Sequence, residues 1–123
     1  MYKVTITDYF SGAHNLREYK GKCENLHGHN WKVEVTVTSK KLDNIGMVMD
    51  FKDLKKIVSN ILSVLDHHYL NEISYFKQVN PTSENIAKFV YSRVQEKLTP
   101  KQLKVDTVRI WETAGSAAAY RED

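Results

Sequence analysis

A single cysteine stands among 123 residues, so no disulfide can close within the chain, and a reducing, cytoplasmic setting is expected. Prolines number two and glycines five, without repeats, low-complexity tracts or linker-like composition, so nothing marks a domain boundary. One domain over residues 1–123 is expected, long enough for one modest core. No stretch approaches the ~18 consecutive apolar residues of a membrane span. Met1 to Ile6 reads as a strand and lacks the basic and apolar regions of a signal peptide. Charge of one sign is also scarce: 18 Lys and Arg face 15 Asp and Glu, a net +3. That balance excludes a nucleic-acid stripe and is compatible with a local positive patch for an anionic small molecule.

What is present is periodic. Tyr2, Val4 and Ile6 alternate in a first strand read over Tyr2 to Phe10, and Gly12 is expected to break it just before His14. A second strand carries Trp31, Val33, Val35 and Val37 between Lys32, Glu34, Thr36 and Thr38. Asn44-Ile45-Gly46 reads as a turn. Asp50 is the expected N-cap of a first helix, with Asp53 as its capping-box partner, and Leu54, Ile57, Val58, Ile61, Leu62 and Leu65 follow at helical spacing. That helix is expected to end near Asp66-His67-His68. Thr82, after Pro81, caps a second helix with stripe Ile86, Phe89, Val90 and Val94 and with Glu84 in its first turn. A strand through Val105, Val108 and Ile110 to Glu112 and, after Gly115, a short strand ending near Tyr120 complete the chain. The order β-β-α-α-β-β predicts an α+β fold, a four-stranded antiparallel sheet with two helices on one face.

Chemistry concentrates in the histidines. His27 and His29 lie two apart, so on a strand they share a face, the one also bearing Trp31 and the valines. Imidazoles on a covered face need partners, and a metal supplies them. With His14 as a third nitrogen, the set fits a catalytic zinc site, which keeps three protein ligands and an open position. An isolated His-x-His is more often a surface pair; Cys23 and His14 nearby favour the metal. A lone cysteine is commonly inert and buried, but beside Lys20, Lys22 and a dication Cys23 would have a thiol near neutrality, able to exchange protons. Asp66-His67 reads either as a solvated helix end or as a proton shuttle oriented by its carboxylate. Glu112 reads either as a solvated strand end or as an acceptor for adjacent N–H groups of a flat heterocycle.

These residues fall into a familiar pattern. Cys23-Glu24-Asn25-Leu26-His27-Gly28-His29 resembles the C-x3-H-G-H signature of the 6-pyruvoyltetrahydropterin synthase / 6-carboxytetrahydropterin synthase family. Phe10 to His14, Gly46 to Phe51, Leu65 to Asn71, Pro81 to Asn85 and Trp111-Glu112-Thr113 are similar to further family segments, in the same order. The resemblance implies a tunnelling (T-) fold and a homo-oligomer, commonly a hexamer of two trimers with sites at subunit boundaries. It implies zinc on His14, His27 and His29, Cys23 as proton acceptor, and Asp66 with His67 as the second proton-handling pair. It further implies Glu112 as pterin anchor, helped by Thr82 and Ser83, with 7,8-dihydroneopterin triphosphate as substrate. The three-residue gap between Cys23 and His27 resembles the carboxy-forming branch of queuosine (7-deazaguanine) biosynthesis, which also releases acetaldehyde. The pyruvoyl-forming branch and, because of Glu24, a retro-aldol relative forming hydroxymethyldihydropterin are the alternatives. Lys20 and Lys22 are weak candidates for the triphosphate. A binding protein that holds zinc and pterin without turnover is a competing class. A zinc hydrolase is a third, and the H-E-x-x-H motif it would favour is missing.

Overall fold

A computed structural model describes residues 1–21 and 24–123. Strand β1 (Tyr2–His14) pairs antiparallel with β2 (His27–Ser39) along its whole length, from Tyr2↔Ser39 to His14↔His27. Helix α1 (Phe51–Leu62) follows, then the two-residue strand β3 (His68–Tyr69) and two single-turn 3₁₀ helices, Leu70–Glu72 and Ser74–Lys77. Helix α2 (Ser83–Lys97), β4 (Lys104–Thr113) and β5 (Ser116–Tyr120) complete the order.

The sheet has five strands in the order β3-β1-β2-β4-β5, and β3 runs parallel to β1, so it is mixed. This corrects the expectation of four antiparallel strands. The added strand is a bridge of two pairs, Gly12↔His68 and Ala13↔Tyr69, and two residues carry no readable period. Gly12 does not break β1 either. A Cβ there would meet the Leu70 side chain at 3.3 Å and the Leu65 carbonyl at 3.4 Å, so glycine serves close approach inside a continuing strand.

Alternation decides which face is covered. Ile6 and Phe10 of β1, Trp31, Val33, Val35 and Val37 of β2, and Val105, Val108 and Ile110 of β4 point to one buried side. There they meet Leu54, Val58 and Leu62 of α1 and Ile86, Val90 and Val94 of α2. Burying each such aliphatic side chain contributes roughly 1.5–3 kcal/mol before chain entropy is counted. Trp31 is fully buried and stacks parallel to Phe10, ring centroids 5.7 Å apart.

Helix caps follow the expected residues with one exception. The Asp50 carboxylate accepts the Lys52 N–H at 2.8 Å, and Thr82 Oγ1 accepts the Asn85 N–H at 3.1 Å. Among the described residues Asp53 makes no return bond to Asp50; aspartate is one methylene shorter than the glutamate of a full capping box. Helix α1 stops at Leu62, earlier than expected, and turns carry the chain to His67 in the left-handed region at φ 58°. That kink lets the His67 N–H donate to the Ser11 carbonyl at 2.6 Å, which docks the segment on β1.

Candidate metal centre

His14 ends β1 and His27 opens β2, and the two are paired partners in the ladder. His29, one pleat further, faces the same way. Ring centroids of the three histidines lie 4.6 to 5.3 Å apart, all edge to face, and Trp31 closes the inner end against His14 and His29. The Trp31 indole N–H donates to the Gly12 carbonyl at 3.2 Å, which ties this floor to β1.

Backbone carbonyls decide where the ring protons sit. His14 Nδ1 lies 2.7 Å from the Pro81 carbonyl and His27 Nδ1 lies 2.9 Å from the Asn25 carbonyl. A carbonyl can only accept, so in each neutral ring Nδ1 carries the hydrogen and Nε2 is left with a lone pair. Those two Nε2 atoms face each other at 3.0 Å. Two lone pairs so placed repel unless something positive lies between them. Burial lowers the His14 pKa, reinforced by His27 and His29 and opposed by the Pro81 carbonyl and Glu112, so a proton is a poor choice. A metal cation suits the arrangement, the far nitrogens of His14 and His27 each being fixed by a carbonyl, the usual outer contact of a metal-bound histidine.

Glu112 completes the cluster. It lies on the inward parity of Val108 and Ile110, at an irregularity where the β4–β5 register shifts between Trp111 and Thr113. Such irregularities re-aim side chains. One carboxylate oxygen comes to 3.1 Å from His29 Nε2, and the other accepts the Ser83 hydroxyl at 3.2 Å. His29 Nε2 is nevertheless buried without a well-directed hydrogen bond among the described residues. One donor atom from each of His14, His27, His29 and Glu112 lies within 4.8 Å of the others. The Nε2 atoms of His14 and His27, turned toward each other, and the unsatisfied Nε2 of His29 form a three-nitrogen donor set that fits zinc, with the Glu112 carboxylate standing beside it.

The other expected residues divide. Asp66 and His67 are brought together: His67 Nδ1 is 2.9 Å from Asp66 Oδ2, and Asp66 Oδ1 accepts the Ser11 N–H at 2.9 Å. The Ser11 N–H is the main reason the Asp66 carboxyl sits below the usual range; desolvation opposes it and His67 assists. His67, His68, Gly28 and His29 line one open cavity of about 490 Å³, so His67 borders the same space as one member of the cluster, His29. Ser83 meets Glu112, whereas the Thr82 hydroxyl oxygen is taken up by its helix cap. Cys23 and Lys22 lie outside the described residues. Lys20 stands over the Tyr19 ring, 5.4 Å from its centroid. Sequence reasoning assigned Glu112 to a heterocycle and missed its proximity to the histidines; the shared parity with Val108 and Ile110 was the available signal. The Pro81 carbonyl, being backbone, gave none.

Comparison with known proteins identifies the family and the fold. The family model described as 6-pyruvoyl tetrahydropterin synthase matches residues 3–123. The 6-carboxy-5,6,7,8-tetrahydropterin synthase of Haemophilus influenzae is 33% identical, covering 99% of this chain and 100% of that one. The human 6-pyruvoyl tetrahydrobiopterin synthase is 37% identical over 92% of this chain and 79% of that one. The solved Caenorhabditis elegans 6-pyruvoyl tetrahydropterin synthase superimposes with a TM-score of 0.86 at 30% identity, covering 99% and 96% of the two chains. The α+β tunnelling fold thus stands, with a fifth strand, and the chain belongs to the 6-pyruvoyl tetrahydropterin synthase family.

Proposed function

We propose that this protein is a 6-carboxy-5,6,7,8-tetrahydropterin synthase, a zinc-dependent lyase. It would convert 7,8-dihydroneopterin triphosphate to 6-carboxytetrahydropterin, with release of acetaldehyde and triphosphate, in queuosine (7-deazaguanine) biosynthesis. The observation that carries the reading is the convergence of His14, His27, His29 and Glu112 at one end of the sheet. Membership in a tetrahydropterin synthase family and the name of the Haemophilus influenzae relative support the reaction class.

His14, His27 and His29 would hold the zinc, and a bound zinc supplies Lewis acidity that polarises hydroxyl oxygens and loosens neighbouring protons. The remaining work belongs to the side chains. Asp66 fixes the Nδ1–H tautomer of His67 at 2.9 Å, leaving Nε2 to accept or return a proton. Cys23 serves as the other proton acceptor, the role the family resemblance gives it. Glu112 accepts N–H groups of the pterin ring, with Ser83 steadying its second oxygen and Thr82 alongside. The reading extends to a cytoplasmic hexamer of two trimers with sites at subunit boundaries.

Mass analysis of products from zinc-loaded protein and 7,8-dihydroneopterin triphosphate tests it. Carboxytetrahydropterin with acetaldehyde is the expected pair. Pyruvoyltetrahydropterin, the product class in the human relative's name, or hydroxymethyldihydropterin would move the protein to another branch. Binding of pterin and zinc without any product would make it a non-catalytic member.

A further inference from the structure

Pro81 meets His14 through a backbone carbonyl alone, yet that carbonyl decides which ring nitrogen of a metal ligand stays free. A carbonyl does this dependably when its own peptide is held in place. Proline has no N–H to donate, so the bonds that hold this peptide must come from its neighbours.

Asn80, directly before Pro81, supplies them. Its Oδ1 accepts the Arg17 N–H at 2.9 Å and its Nδ2 donates to the Arg17 carbonyl at 3.0 Å, as a neighbouring strand would. The Arg17 guanidinium donates to the same Oδ1 at 3.3 Å and to the Phe76 carbonyl. The Asn80 backbone is held from the other side. Its carbonyl accepts the Thr82 N–H at 2.8 Å and the Asn85 side-chain amide at 2.9 Å. Asn85 lies in the first turn of α2, and its own N–H is the one that Thr82 caps.

These bonds close a circuit around one metal ligand. The chain leaves β1 after His14, and Arg17, three residues on, is paired to Asn80. Pro81 then returns to His14, whose Nδ1 lies 2.7 Å from its carbonyl. The entry to α2 is thus stapled to the end of β1 at two points. Asn71 treats residue 15 in the same way, accepting the Asn15 N–H at 3.0 Å and donating to its carbonyl at 2.8 Å. Asn80, however, is the one joined covalently to the residue whose carbonyl meets the ring. His14 is 2% exposed, so water is a poor substitute for that carbonyl.

We propose that Asn80 is a positioning residue of the metal centre: its side chain locks the Pro81 peptide to the end of β1 and so holds His14 in the tautomer whose Nε2 faces the ion. The role rests on the reading of the histidines as zinc ligands. It assigns Asn80 no contact with metal or substrate.

Two measurements on the full chain test it: zinc affinity by competition with a chromophoric chelator, and the His14 tautomer by nitrogen-15 NMR of the metal-free protein. Asn80→Ala is expected to weaken zinc about tenfold, the scale for disturbing an outer contact of a metal-bound histidine, and to move His14 off the Nδ1–H form. Asn80→Asp keeps the acceptor for Arg17 and loses the donor, so its affinity should lie between parent and alanine variant. Gln95→Ala is the matched control. Gln95 also holds backbone groups, accepting the Val105 N–H at 2.9 Å and donating to the Leu103 carbonyl at 3.3 Å, at the other end of the sheet. Its loss should leave zinc affinity and the His14 tautomer unchanged. Zinc affinity within about threefold of the parent in Asn80→Ala would overturn the proposal, as would an equal loss in Gln95→Ala. If the parent protein binds no zinc, the metal-centre reading fails and the tautomer alone decides: a retained Nδ1–H form in Asn80→Ala removes the positioning role, and its loss sustains it.

Discussion

Asp66 is tied to two groups at once, the Ser11 N–H and His67, and both favour its ionised form. Its carboxyl is therefore depressed in the folded protein relative to the unfolded chain. The stabilisation is complete above the ordinary aspartate value of about 3.9 and is lost as pH falls through the lower folded value. Between about pH 5 and pH 2 the urea midpoint of the parent protein should thus drop further than that of Asp66→Asn; parallel curves would remove the linkage. At this scale the histidine pair was open to reading, because strand parity put His27 and His29 on the side of Trp31 and the valines. The residues that fix their tautomers were not. Pro81 and Asn25 act through carbonyls that every residue owns, and only the folded chain shows which carbonyl a ring meets. Asn71 and Asn80 were silent for the same reason, since their partners lie 56 and 63 positions away.

Among the elements, β2 and α2 could be read because each repeats its period several times and carries its own start signal, Thr82 in the case of the helix. Strand β3 could not, being two residues held by tertiary contact. Gly12 joins the two kinds of information. It looked like punctuation, yet it is the point where β1 admits Leu70 and the Leu65 carbonyl. Gly12→Ala should cost about 1–3 kcal/mol through overpacking, measured as a lower denaturant midpoint. Gly28→Ala is the matched control: the nearest atom to its Cβ would be the Gly12 carbonyl oxygen at 3.8 Å, an ordinary contact, and its midpoint should barely move. Similar losses at both glycines would mean that strand propensity, not close approach, governs Gly12.

For the molecule as a whole, a cation bound by the histidines adds stability by mass action, about 2.7 kcal/mol when free zinc is a hundredfold above its dissociation constant. Calorimetry should show a zinc-dependent rise in Tm that a chelator reverses and that His27→Ala abolishes; a rise that survives in His27→Ala would place the ion elsewhere. What that ion adds comes on top of the pairing of β1 and β2. Their ladder runs unbroken from Tyr2↔Ser39 to His14↔His27 over a core that includes Trp31 and the valines, so the ligands sit at the loop end of a hairpin already zipped along its length. Here an ion works as a clasp on a finished garment. Stripping it should loosen the residues that flank the ligands, Asn15 and Leu26, and leave the fabric behind them sewn, unlike small zinc modules that come apart when their metal is withdrawn.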